Sequence, residues 1–154
     1  MVDLVTVNHT TFSSSPERLE AGTPNYSSII AFGEAIDYLT EIGWDRIYAR
    51  AEELTVKAEQ LLQGLEYAAV LGNPKHRAGI LSFSVDRVHP YDLASFLDQY
   101  GIAVRTGSLC SQPVINHFGL QTVTRISPAF YNTPEELEQT SEIMRKVIRI
   151  LRRC

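Results

Sequence analysis

The sequence predicts a chain of the α/β class in its α+β form: a small, mostly antiparallel sheet with helices on one face, preceded by a helix pair. Two observations carry this expectation. Apolar residues recur at helical spacing through the long stretches 27–39 and 44–65, and after Gly64 that period gives way to short apolar runs separated by turn formers and further helices. A third observation sets the scale: with 154 residues, 44% of them hydrophobic, the chain can bury a core of ordinary size as one compact unit or one and a half.

Residues 1–25 hold one short alternating strand, 4–7, followed by turn formers and polar residues (Asn8, Ser13 to Pro16, Gly22, Pro24, Asn25). This piece has too few apolar residues to fold alone and is expected to pack against something else or against a second copy. Ile29, Ile30, Phe32, Ala35, Ile36 and Leu39 then mark a helix that Gly43 stops. A second helix starts near Trp44-Asp45, with Asp45 as its cap, and runs through Ile47, Ala51, Leu54, Ala58, Leu61, Leu62 and Leu65; its length suggests a linking helix. Next come a short apolar run, 68–71, a turn at Gly72-Asn73-Pro74 and a strand, 79–85. His89-Pro90 opens a helix over 91–100 with Leu93, Phe96 and Leu97 inward, Gly101 stops it, and 102–104 reads as a short strand. A short helix over 114–118, a strand over 123–127 and a final helix over 134–151 complete the chain. Thr133 caps that last helix, Glu135 and Glu136 suit its first turn, and Leu137, Ile143, Val147, Ile150 and Leu151 form its inward stripe. No internal repeat is visible.

Composition narrows the function classes. A formal charge of -4 and a pI near 5.5 provide no basic field for nucleic acid, and no apolar run approaches a membrane span. Cys110 and Cys154 do not make a disulfide framework, and no charged-then-apolar leader precedes the first helix, so a reducing cytoplasm is the expected compartment. His9, His76, His89 and His117 share no metal-ligand spacing, and no structural zinc is expected.

Cys110 is the most informative residue. It follows Arg105, Thr106, Gly107, Ser108 and Leu109 and precedes Ser111, Gln112 and Pro113. Arg105 brings a positive charge, and Pro113 suits the first turn of a helix, which sets Cys110 just before exposed amide donors; both favour a thiolate. The candidate role is a nucleophilic cysteine rather than a small buried hydrophobe.

Three blocks in order, Glu20-Ala21-Gly22-Thr23-Pro24-Asn25, Arg105-Thr106-Gly107 with Cys110-Ser111-Gln112-Pro113, and Thr124-Arg125-Ile126-Ser127 leading to Tyr131-Asn132-Thr133, resemble a SufS-type cysteine desulfurase. The resemblance covers nearly the whole chain but only the C-terminal part of such enzymes, which belong to the class V aminotransferase group with pyridoxal-phosphate fold type I. It implies conversion of L-cysteine to L-alanine with a persulfide on Cys110, passed to a sulfur-acceptor protein of the SUF type for iron-sulfur cluster assembly. It further implies that Arg125 grips the substrate carboxylate, that Arg105 is a second arginine near the substrate, and that Gly22 and Thr23 reach the cofactor phosphate across a homodimer interface. Residues 1–43 then correspond to the end of the large domain, and 44–154, with the linking helix 44–65, to the small domain.

Two departures from the family pattern stand out. Ser108 and Leu109 occupy positions where the family carries histidine, and His117 nearby is assigned no role. The cofactor lysine of the family lies upstream of the segment that Met1 resembles; Lys57, Lys75 and Lys146 lie on a charged helix face, in a turn and in the final helix, none in a Schiff-base context. Alone, the chain is therefore expected to be inactive without the missing large domain, whether a separate chain supplies it or the chain is a truncated product of a longer gene. The competing readings are a non-catalytic dimerisation or partner-binding module, and an aminotransferase-like or selenocysteine lyase activity on the same fold. Cys154, at the chain end, is expected to be an exposed thiol without a role.

Overall fold

The computed structural model describes residues 1–73, 77 and 79–153; the expected turn reaches Pro74, which with Lys75, His76, Ala78 and Cys154 lies outside the described residues. The chain divides into two units, Met1–Gly43 and Trp44–Cys154.

In the first unit, β1 (Val2–Val5) pairs antiparallel with β2 (Thr10–Phe12), a 3-10 turn spans Glu17–Leu19, and α1 covers Tyr26–Ile42. The strand expected at 4–7 thus lies two residues earlier, and β2 was not legible at all. Both strands are exposed, so no apolar alternation marks β2; backbone pairing alone defines it. Asn25 caps α1, its Oδ1 accepting the Ser28 N–H at 3.2 Å, and Gly43 ends the helix with φ 94°, a value an L-residue adopts only with strain. No residue of this unit is buried. Ile29, Ile30 and Phe32, on the apolar face of α1, are 61, 68 and 67% exposed.

The second unit is a four-stranded antiparallel sheet in the order β3-β4-β6-β5, formed by β3 (Ala68–Val70), β4 (Leu81–Val85), β6 (Val123–Ile126) and β5 (Arg105–Gly107). Helices α2 (Trp44–Gln63), α3 (Pro90–Asp98) and α5 (Pro134–Leu151) supply the core against it, and α4 (Gln112–His117) is a short connector. Leu81, Phe83 and Val85 alternate along β4 with the half-buried Ser82 and Ser84, the period-two signature of a sheet covered on one face. They join Ala58, Leu62, Leu65, Leu93, Leu97, Ile126, Met144, Val147 and Ile148 in one cluster.

Three expectations are corrected. The strand placed at 102–104 begins at Arg105: Ile102 and Val104 pack against the core from irregular backbone, and pairing to β6 starts only beyond them. Asp45 lies inside the first turn of α2 rather than before it. On α5, Met144 and Ile148 are core while Ile150 is exposed, because the inward face follows 144, 147, 148 and 151. The cap of α5 is reciprocal: Thr133 Oγ accepts the Glu136 N–H at 3.2 Å, and the Glu136 carboxylate accepts the Thr133 N–H at 3.0 Å.

Candidate active site on the outer face of the sheet

Strand register decides what faces the open side of the sheet. Because Leu81 pairs with Ile126 and Phe83 with Thr124 on the core face, the intervening Ser82 and Arg125 pair on the opposite face, and Arg125 in turn pairs with Arg105 on β5. Ser82, Arg125 and Arg105 therefore form a row across three strands. Directly opposed side chains start about 5 Å apart, and like charges placed so are unfavourable unless an anion joins them. Among the described residues neither arginine has a carboxylate partner. Arg125 Nε is buried with no hydrogen-bond partner, which is the donor that a bidentate carboxylate would satisfy.

The same strand leads to the cysteine. Past Gly107, which is buried with φ 115°, the chain turns through Ser108 to Ser111, and the Ser111 N–H donates to the Ser108 carbonyl at 2.9 Å. Leu109 and Cys110 both have positive φ, 55° and 58°, a conformation that costs each non-glycine residue roughly 1–2 kcal/mol. Cys110 is an exposed free thiol. The helix that follows begins at Gln112 rather than at 114, with Ser111 at its cap position and Pro113 in its first turn; Ile115 anchors it in the interior. His117 lies at the far end of α4 with its ring edge-on to Phe118.

Ser127 to Thr133 follows Arg125 and is fastened by Asn132, whose part was not legible from the sequence. Its Oδ1 accepts the Ala129 N–H at 2.9 Å, its Nδ2 donates to Glu136 at 3.0 Å, and its carbonyl accepts from Arg50 at 3.4 Å. The usual asparagine turn reaches forward to backbone two residues on, whereas Asn132 reaches back to the Ala129 N–H, so the residue type alone does not announce this bond.

Gly22 and Thr23 belong to the first unit, in an exposed bend before α1. Gly22 has φ 78° and open space where a Cβ would stand, which suits close approach of a phosphate to the backbone. For the aldehyde of pyridoxal phosphate the described lysines do not fit. Lys57 bonds Glu138 at 2.5 Å, and Lys146 lies over the Tyr100 ring at 5.4 Å, so both are engaged on helix surfaces outside any protected pocket. The residues present thus suit anionic groups, with no described amine placed for a Schiff base.

Comparison with known proteins places the chain in a family. The family profile described as aminotransferase class-V matches residues 1–140. The chain is 36% identical over 151 residues to a probable cysteine desulfurase of Xylella fastidiosa, covering 98% of this chain and 36% of that protein. It is 42% identical over 143 residues to a cysteine desulfurase of Salmonella newport, covering 92% and 35%. Among solved structures, the apo cysteine desulfurase of Thermococcus onnurineus superposes with a TM-score of 0.87 at 33% identity, over 96% of this chain and 37% of that one. The cysteine desulfurase CsdA of Escherichia coli superposes with 0.88 at 27% identity, over 97% and 37%. The chain spans little more than a third of the length of these relatives. On the profile match along most of its length, with a small antiparallel sheet and helices superposing on solved cysteine desulfurases, this chain belongs to the aminotransferase class-V family.

Proposed function

We propose that the chain carries the substrate-gripping and sulfur-accepting portion of a cysteine desulfurase. The observation that supports this best is the Arg125–Arg105 register pair on one face of the sheet, with Cys110 on the loop that continues the Arg105 strand. Arg125 takes the carboxylate of L-cysteine in its guanidinium fork, and Arg105 adds a second positive charge to hold it. Cys110 accepts the sulfur as a persulfide, the substrate leaves as L-alanine, and an acceptor protein of the SUF type collects the sulfur from the exposed loop. Thr23 and Gly22 meet the cofactor phosphate. The lysine that holds pyridoxal phosphate belongs to the large domain of the family, and the assembled protein is a homodimer.

The deciding experiment follows alanine formation from L-cysteine with added pyridoxal phosphate, for this chain by itself and mixed with a large-domain chain of the family, with Cys110→Ala as control. Activity in the mixture that the variant loses supports the reading; activity untouched by Cys110→Ala sinks it. The exposed apolar face of α1 favours a second reading, a dimerisation or partner-binding module without catalysis, and that reading gains if no mixture turns over. Offering selenocysteine beside cysteine separates a lyase for the heavier amino acid from a desulfurase.

A further inference from the structure

The loop bearing Cys110 is anchored at its two ends. At the far end Ile115 is buried, and at the near end Gly107 is buried where β5 stops. A Cβ added at Gly107 would lie 3.3 Å from Tyr91 Oη, so the tyrosine hydroxyl stands over the face of Gly107 that a side chain would occupy. Tyr91 is itself held from two sides. It stands in the first turn of α3, its ring stacks on His89 at 5.5 Å and 21°, and His89 Nδ1 accepts the Tyr91 N–H at 3.3 Å as the helix cap. Yet Tyr91 is 55% exposed, so burial of its ring does not account for the placement. Between the anchors stand two consecutive non-glycine residues with positive φ, Leu109 and Cys110, a backbone that persists only where its surroundings over-determine it.

We propose that Tyr91 is a positioning residue for the Cys110 loop. Its hydroxyl, braced by the His89 stack, blocks the root of the loop at Gly107 from folding toward α3 and so keeps Leu109 and Cys110 in the conformation that presents the thiol to solvent. The importance of this for sulfur transfer rests on the reading of Cys110 as nucleophile, but the positioning does not.

Hydrogen exchange on the full chain tests it without calling on catalysis. In Tyr91→Ala, the 108–111 amides, including the Ser111 N–H bonded to Ser108, are expected to exchange roughly threefold or more faster, with β4 and β6 unchanged. Tyr91→Phe keeps the stack on His89 but removes the hydroxyl that faces Gly107, and it is expected to accelerate the same amides. Tyr131→Ala, at a more exposed tyrosine on another loop, serves as control and leaves them unchanged. The alkylation rate of Cys110, read on its own peptide so that Cys154 does not intrude, shifts in the two Tyr91 variants and not in the control. Exchange at 108–111 equal to wild type in both Tyr91 variants overturns the proposal, as does an acceleration spread equally over α3 and β4, which would mean simple loss of fold. If the loop responds as expected while Cys110→Ala leaves alanine formation intact, the nucleophile reading fails and the positioning role stands.

Discussion

Arg105 and Arg125 are opposite partners on antiparallel neighbouring strands, two cations side by side on one face of the sheet with no carboxylate bound to either among the described residues. Arg125 keeps a buried Nε–H without a partner beside that juxtaposition. Two like charges opposed in this way, with a donor to spare, are what the proposed grip on a carboxylate calls for.

In the reconstituted assembly, Arg125→Ala is therefore expected to lower kcat/KM for L-cysteine by roughly 10- to 100-fold, the equivalent of losing a charge-assisted hydrogen-bond pair. Arg125→Lys, which keeps the charge and loses the fork, recovers only part of it. Steady-state kinetics on the three proteins check both statements.

Arg105→Gln relieves the like-charge contact and is expected to raise the stability of the ligand-free chain slightly, by about 0.2–1 kcal/mol, with the gain shrinking at high salt. Urea denaturation at low and high ionic strength reads this out.

Removing the reciprocal cap of α5 by Thr133→Ala is expected to destabilise the second unit by about 1 kcal/mol, measured as a shift in denaturation midpoint at constant slope.

That cap also carries a pH signature. Hydrogen bonds from the Thr133 N–H and the Asn132 side chain hold the Glu136 carboxyl below the usual carboxylate range, and bonds from its own N–H and the Thr133 hydroxyl do the same for Glu135. A carboxyl whose folded pKa is depressed contributes stability above its unfolded pKa, about 4.3, and that contribution disappears as pH falls through the folded value. Wild type is thus expected to lose more stability than Glu136→Gln between pH 7 and pH 3. Parallel curves for the two proteins would contradict the assignment.

Arg77, its side chain only 10% exposed, bonds both oxygens of Glu59 on α2 and the carbonyls of Leu71 and Gly72 after β3. Arg77→Ala leaves a partly buried carboxylate and two carbonyls unpaired, with an expected cost of about 2 kcal/mol by chemical denaturation.

The helices were legible because burial writes a period into the sequence: Leu54, Ala58 and Leu62 on α2, and Leu93 and Leu97 on α3, recur at the spacing of one helix face. Strand β5 was misplaced for the converse reason. Arg105, Thr106 and Gly107 carry no apolar signal, while Ile102 and Val104 carry one without belonging to the strand. The blocks single out Cys110, Arg105 and Arg125 as candidates, but they do not give their mutual placement. The pairing of Arg105 with Arg125 depends on a register between residues twenty positions apart that only the closed sheet fixes. Tyr91 was invisible as a neighbour of Gly107, since nothing in the spacing of 91 and 107 announces that a helix start crosses the end of a strand.

The absence of any buried residue in Met1–Gly43 has a thermodynamic consequence. A segment that buries nothing contributes almost no cooperative free energy of its own, so whatever covers it sets its stability by mass action. Its order becomes a function of concentration, rising with the amount of binding surface present, while Trp44–Cys154 melts at a midpoint fixed by its own core. Limited proteolysis across a dilution series would separate the two, trimming the first 43 residues fastest in the most dilute sample and leaving the remainder cut at one constant rate.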